Sequence, residues 1–362
     1  MSKVLIKAFI FPKEGAMESC QDSMAMNLTI GRFAVADGVS NSYHPELVSR
    51  LLCKQFVSNT AMLWESGDAL TLEIAKELSN QWEQEVANYE STLSGRRLQH
   101  AIMKRESFKH GASTFAGIEL NPDNKTINYQ ILGDSTLFTI DNEGNVLVIT
   151  SQIPMSNTLE LHYDNHPDFI RSDGKQKGNC AIGQTTISRG YIILMTDGCA
   201  EWFTVAYKKN PDVLNHLWSF EDNNSFEELV VECRNAGKME DDLAVIMLKI
   251  DESWDGSYEV EYFPQNMSCA LLIGNNNKVA NGTLDNAVEE PHVNEAEIVP
   301  INKVEDSQDN GTDDSQKTEK DDAGKTIDIK EEVNASSNNC ALTIISKTSP
   351  TILFENLVAF YQ

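Results

Sequence analysis

The chain is short of positive charge: 29 Lys and Arg stand against 55 Asp and Glu, a formal net charge of -26. Such a surface repels a nucleic-acid backbone, so DNA and RNA are not expected as direct partners. No uninterrupted apolar run approaches the ~20 residues that a membrane-spanning helix needs. The apolar N-terminus MSKVLIKAFIFPKEG reaches Pro12 and Glu14 too soon for a secretory signal. Cysteines are few and scattered singly at 20, 53, 180, 199, 233, 269 and 340. They form no CxxC pair, and an odd count closes no disulfide framework. These absences make the cytoplasm the expected location, with no membrane involved. A glycine-rich phosphate loop is also missing, which argues against nucleotide kinases.

What is present reads as one large globular domain with an appendage. The 362 residues are 41% hydrophobic, 8% aromatic and 23% charged. Apolar periodicity is dense up to about Ile250, and we place the globular domain at residues 1–255. Residues 256–339 form the expected acidic linker: between Asn281 and Val333 there are 16 acidic residues against 5 basic ones. Low hydrophobicity with high charge cannot offset the entropy of ordering, so this stretch is predicted disordered. Residues 340–362 turn apolar again and read as a docking peptide, for the folded domain or for a protein partner, or else as an apolar tail without a role.

Leu28–Ala36 reads as a strand, and Pro45 opens an apolar 3.6-residue period through Leu47, Val48, Leu51, Leu52 and Phe56, a helix. A second helix is predicted from Leu70 to about Leu93, with Trp82 and Tyr89 in the core. Strands follow at Ser113–Leu120, Thr126–Leu132, Leu137–Ile140 and Val146–Thr150, punctuated by hairpin turns. Residues 151–185 read as a polar loop or flap. Gly190–Thr196 and Leu243–Ile250 are strands, and Ser225–Ala236 is a helix. Hairpins plus long helices, without βαβ alternation, predict an α+β layered sandwich.

Aspartate recurs at strand ends. Asp37, Asp134 and Asp197 follow apolar strands, whereas Asp22 and Asp241 precede them. In antiparallel neighbours the exit of one strand lies beside the entry of the next, so all five could collect at one edge. Clustered carboxylates persist only when protons or cations neutralise them. An oxygen-only donor set selects hard ions, Mg²⁺ or Mn²⁺. Two such ions about 4 Å apart lower the pKa of a bridging water and polarise a phosphoryl group. Taken singly, each Asp-Gly pair also fits an ordinary turn.

These motifs, in this order over about residues 1–250, resemble the metal-dependent protein phosphatase family of the protein phosphatase 2C type, in a bacterial-like branch. The matching segments are Gln21-Asp22, Ala36-Asp37-Gly38, Gly111-Ala112-Ser113-Thr114, Gly133-Asp134-Ser135, Asn179-Cys180-Ala181-Ile182-Gly183, Thr196-Asp197-Gly198 and Asp241-Asp242. The resemblance implies a four-layer α-β-β-α sandwich of two antiparallel sheets flanked by helices. It further implies a protein serine/threonine phosphatase with two or three Mn²⁺ or Mg²⁺ ions, hydrolysing phosphomonoesters by attack of a metal-bound hydroxide. By resemblance Asp37 bridges two metals, and Gly38 offers its carbonyl. Asp197 and Asp241 ligate one ion, and Asp22 acts through metal-bound water. Asp134, with Asp197, matches a weaker third site. Asp37 and Asp22 are the expected catalytic pair. The implied partner is a phosphoprotein made by a cognate Ser/Thr kinase.

The sequence departs from the family pattern in three places. Met17 stands where many members carry a phosphate-gripping arginine, Gln21 replaces a glutamate, and Val39-Ser40-Asn41-Ser42 replaces a glycine pair. Loss of the arginine removes a bidentate phosphate contact; Lys13 and Arg32 are the substitute cations considered, each also readable as an ordinary surface residue. Two rival readings stay open: a phosphoprotein-binding or regulatory domain without turnover, favoured by Met17 and Gln21, and a metal-dependent hydrolase of nucleotides or nucleic acid, disfavoured by the charge. His162 and His166 read as solvated surface, Ser172-Asp173-Gly174-Lys175 as a turn, and Cys20 and Cys199 as small fillers beside the site.

Overall fold

A computed structural model describes residues 2–274, except 15, 60, 154, 162, 164–166, 188, 252–253 and 266. The acidic linker beyond 274, the segment 340–362 and the His162–His166 pair lie outside the described residues. Two six-stranded sheets form the centre. The first runs, in spatial order, Val146–Ile149, Thr136–Asp141, Gly190–Met195, Leu243–Ile250, Ser2–Phe11 and Trp254–Tyr262. The second runs Ala181–Thr186, Thr126–Leu132, Phe115–Asn121, Arg32–Ala36, Ser23–Asn27 and Ala270–Ile273. Their inner faces bury Ile6, Met24, Phe33, Ile118, Ile131, Leu194 and Ile246 between them.

Helices cover both outer faces, because each sheet is apolar on both sides. Helix α1 (Pro45–Ser58) and α2 (Leu72–Ser91) lie on the second sheet, with Leu52, Phe56, Leu78, Trp82 and Phe115 in one cluster. Helix α3 (Gly95–Phe108) follows α2 and buries only Ala101. Helices α4 (Asp197–Lys209), α5 (Val213–Ser219) and α6 (Asn223–Asn235) cover the first sheet, through Phe203, Leu217 and Phe226 against Phe9 and Phe138. The result is the four-layer α-β-β-α sandwich. Among the described residues no helix is long and apolar enough to cross a membrane.

Several expectations are corrected. The sheets are mixed, not purely antiparallel, since Ser2–Phe11 pairs parallel with Trp254–Tyr262, and Ser23–Asn27 pairs parallel with Ala270–Ile273. Trp254–Tyr262 straddles the boundary placed at 255 and Ala270–Ile273 lies beyond it; Trp254, Val260, Phe263 and Cys269 are buried in the central core. Of the strand read over Leu28–Ala36 only Arg32–Ala36 is extended; residues 28–31 are the turn that pairs it with Ser23–Asn27, with Gly31 at φ of 68°. The 151–185 stretch contains a small hairpin, Phe169–Arg171 with Gln176–Lys177, and the start of the edge strand Ala181–Thr186. Trp82 is buried, but Tyr89 is 45% exposed.

Candidate metal centre

The antiparallel register sets the site. Ser23 aligns with Ala36, so Asp22 and Asp37 leave the same end of adjacent strands. Asp134 leaves the Thr126–Leu132 strand two positions along the same sheet, and Asp197 leaves Gly190–Met195 in the facing sheet. Carboxylate oxygens of Asp37, Asp134 and Asp197 all lie within 4.8 Å of one another. Asp22 stands beside this trio, 1% exposed, and neither of its carboxylate oxygens has a well-formed hydrogen bond.

The backbone around Asp37 is tightly braced. Its N–H donates to Thr114 Oγ1 at 3.3 Å, and its carbonyl accepts from Thr114 N at 2.8 Å and Ser113 Oγ at 2.7 Å. Thr114 Oγ1 also meets Ser135 Oγ at 2.7 Å, tying in the segment that carries Asp134. The small residues at 111–114 therefore act as a brace. Gly38 is needed for close approach: a Cβ there would meet the Gln21 carbonyl at 2.8 Å and the Pro45 side chain at 2.9 Å. Opposite, Thr196 Oγ1 clamps the end of its strand by accepting from Ala244 N at 2.9 Å.

Electrostatics follow from burial. Desolvation pushes the Asp22 carboxyl well above the usual range; Asp242 and Asp197 push it further, and Thr196 opposes in part. Asp37 is likewise raised well above its ordinary value, first by desolvation and then by Asp197, Asp22 and Asp134. Asp197 is pushed up to about 6 by desolvation and by Asp241, with the Gly198 N–H opposing. A nearly enclosed carboxylate with no well-formed hydrogen bond, beside three mutually repelling ones, is a good site for a hard divalent cation. No His or Cys belongs to the cluster, and the donor chemistry fits Mg²⁺ or Mn²⁺.

The adjacent pair Asp241-Asp242 divides its labour. Asp241 is near Asp197 but outside the tight trio; its side chain is 45% exposed and lies 3.4 Å from Lys13 Nζ. Asp242 is 6% exposed and accepts from the backbone N–H groups of Lys13 and Gln21, pinning the N-terminal loop to the site. Arg234 completes this join, donating to the carbonyls of Pro12, Lys13, Met239 and Asp241. Neither role was legible in the sequence, because both bonds of Asp242 and two of the four of Arg234 join main-chain atoms more than two hundred residues away. Tyr163 was missed as well: its hydroxyl is 3.2 Å from Thr136 Oγ1, and burial first, with Asp134 and Asp197 adding, raises its pKa.

The two substitute cations separate cleanly. Arg32 is 4% exposed, its Nε donating to Glu119 at 2.6 Å and its Nη1 to the carbonyls of Phe56, Asn59 and Ala61. It is a structural tie, not a surface residue. Lys13 is half exposed at the rim of the cluster. Met17 is partly buried against the central core. Cys20 and Cys199 are buried, at 3% and 0% exposure.

A family model described as Protein phosphatase 2C matches residues 14–244. Among solved structures the chain is similar to the serine/threonine phosphatase Stp1 from Staphylococcus aureus, at 14% identity over 68% of this chain and 94% of that one, with a TM-score of 0.42. It is also similar to PppA, a regulatory component of T6SS in Pseudomonas aeruginosa, at 14% identity over 68% and 98% of the two chains, with a TM-score of 0.39. The catalytic domain of PstP, solved with 2 manganese ions, is 13% identical over 68% and 99%, with a TM-score of 0.39. No curated protein matches the chain.

Proposed function

The chain belongs to the protein phosphatase 2C family, and from that premise we propose that it is a metal-dependent protein serine/threonine phosphatase. The observation that carries the reading is the meeting of Asp37, Asp134 and Asp197 oxygens within 4.8 Å, from segments far apart in sequence. Asp37, Asp134, Asp197, Asp22 and Asp241, with the Gly38 carbonyl, would hold two or three Mn²⁺ or Mg²⁺ ions. Bound there, such ions lower the pKa of water and neutralise charge on a phosphoryl group.

The chain's own groups do the rest. Asp37 and Asp22, at the centre, orient the reacting groups, and the brace from Ser113 and Thr114 fixes Asp37 against thermal drift. Lys13 offers an ammonium at the rim that can neutralise a phosphoryl oxygen in place of the arginine absent at Met17. Tyr163 keeps its phenolic proton and remains a donor at the edge of the cluster. The test is hydrolysis of a phosphoserine peptide by the purified chain. Release of phosphate in Mn²⁺, lost with a chelator and restored by Mn²⁺, is the expected result; none under any metal would reject it.

A second reading, phosphoprotein binding without turnover, draws on Gln21. Its side chain accepts from Ser40 Oγ at 2.9 Å and so serves the loop, not a metal-bound water. Tight binding of the same phosphopeptide with no phosphate release would favour that reading.

A further inference from the structure

A groove of about 720 Å³ opens beside the metal centre, within the ~300–1,000 Å³ usual for ligand clefts. Resting on the phosphatase reading, we propose that this groove binds an acidic peptide segment flanking the phosphorylated residue, making acidic phosphoproteins the preferred substrates.

One wall of the groove is the doorstep of the cluster. Gln21 and Ser40 line it, and they neighbour Asp22 and Gly38 in the chain. The Ser40–Gln21 hydrogen bond and the bond from Gly38 N to the Gln21 carbonyl at 3.1 Å hold this wall together. A phosphorylated side chain that reaches the cluster therefore brings its neighbours to the groove.

Helix α3 also lines the groove, presenting Arg97, His100 and Lys104 to it. Their spacing of three and four residues puts them on one helical face. The helix carries four Lys and Arg against one Glu, in a chain whose net charge is -26. Arg105, on another face, is taken by Glu83 and Glu90. Arg97 and Lys104 are exposed and form no ion pair among the described residues. Core packing does not explain the helix either, since only Ala101 is buried.

One carboxylate, Glu46, lines the groove, 2.6 Å from His44 Nδ1, and the two cations Arg97 and Lys104 leave the lining with net positive charge. At position 21 the side chain is a neutral amide, where the family resemblance would place a carboxylate. A lining of net positive charge is complementary to an anionic peptide, and such complementarity sets specificity and capture rate.

Two measurements on the full chain test the groove. The first is fluorescence anisotropy with a fluorescein-labelled peptide of Asp and Glu, against its Asn and Gln counterpart. The wild type is expected to bind the acidic peptide about tenfold more tightly, and Arg97→Glu/Lys104→Glu to lose that preference. Arg97→Gln/Lys104→Gln, a milder change, should lose part of it. Equal affinity for both peptides, or a preference kept by the charge-reversed variant, would overturn the proposal.

The second is turnover in Mn²⁺ of phosphoserine peptides with acidic or lysine-rich flanks. The ratio of kcat/KM should favour the acidic flank about tenfold, through KM, and collapse in the charge-reversed variant. Wild-type turnover of p-nitrophenyl phosphate, which has no flank, separates the two ideas. Hydrolysis of that compound with indifference to the flank sinks the groove alone. Selective binding of the acidic peptide without any hydrolysis sinks the phosphatase reading and supports the groove as an anion-selective peptide site.

Discussion

Asp22 and Asp37 leave facing ends of one antiparallel pair, in which Ser23 aligns with Ala36, and both are held at raised pKa by burial and by each other's neighbours. The fold thus stores repulsion that a cation would relieve. Asp37→Asn should raise the metal-free stability at neutral pH, because a buried carboxyl among like charges is replaced by a neutral amide. It should also remove the stabilisation by Mn²⁺, which for a wild type at about 100 Kd amounts to ~2.7 kcal/mol. Thermal melts with and without Mn²⁺ measure both. An equal Mn²⁺ shift in the variant would remove Asp37 from the ligand set.

Asp197 gives a pH dependence with a definite sign. Its carboxyl is raised from 3.8 to about 6 in the folded chain. The stability it contributes is full below its unfolded value and is lost as pH climbs through the folded one. The metal-free wild type should therefore lose on the order of 3 kcal/mol relative to Asp197→Asn between about pH 4 and pH 7. Urea melts across that range check it; a constant difference would contradict the burial of this charge.

Lys13 and Arg32 should fail in different ways. Arg32→Ala leaves Glu119 and three carbonyls without their donor, and should cost about 3 kcal/mol of stability. The kcat/KM of the surviving folded fraction should stay near wild type. Lys13→Ala breaks an exposed ion pair contributing below ~1 kcal/mol. Its KM for p-nitrophenyl phosphate should instead rise about tenfold, as a charge-assisted contact is lost. The opposite pattern would exchange their roles.

Arg234 joins the loop of Lys13 to the turn of Asp241 through four carbonyls, without touching the carboxylate cluster. Arg234→Leu should loosen that turn and weaken Mn²⁺ affinity about tenfold, the lower end of what such supporting contacts confer. Calorimetric titration with Mn²⁺ measures the change. Unaltered affinity would make Arg234 a fold-stabilising tie only.

The layer architecture and the strand ends that carry aspartate were legible in the sequence, and several elements around them were not. An apolar strand ending in Asp is a local pattern, and antiparallel pairing alone brings such ends together, as at Asp37 and Asp134. The parallel edges were hidden because residues 254–273 lack a continuous apolar run, and pairing with Ser2–Phe11 is a long-range event. Helix α3 was missed because a helix that buries one residue has no apolar stripe to read. Helix α4 opens at Asp197, where Asp-Gly reads as a turn, and α5 comes after it. Asp242 and, in two of its four bonds, Arg234 act on distant main-chain atoms, and no spacing rule reports such partners.

Anomalous scattering from a crystal soaked in Mn²⁺ tests the central claim most directly. Two or more peaks are expected within about 2–2.5 Å of carboxylate oxygens of the Asp37, Asp134 and Asp197 trio, with at least one coordinated by Asp37. A cluster without a peak, or Mn²⁺ held only by surface carboxylates elsewhere, would contradict it.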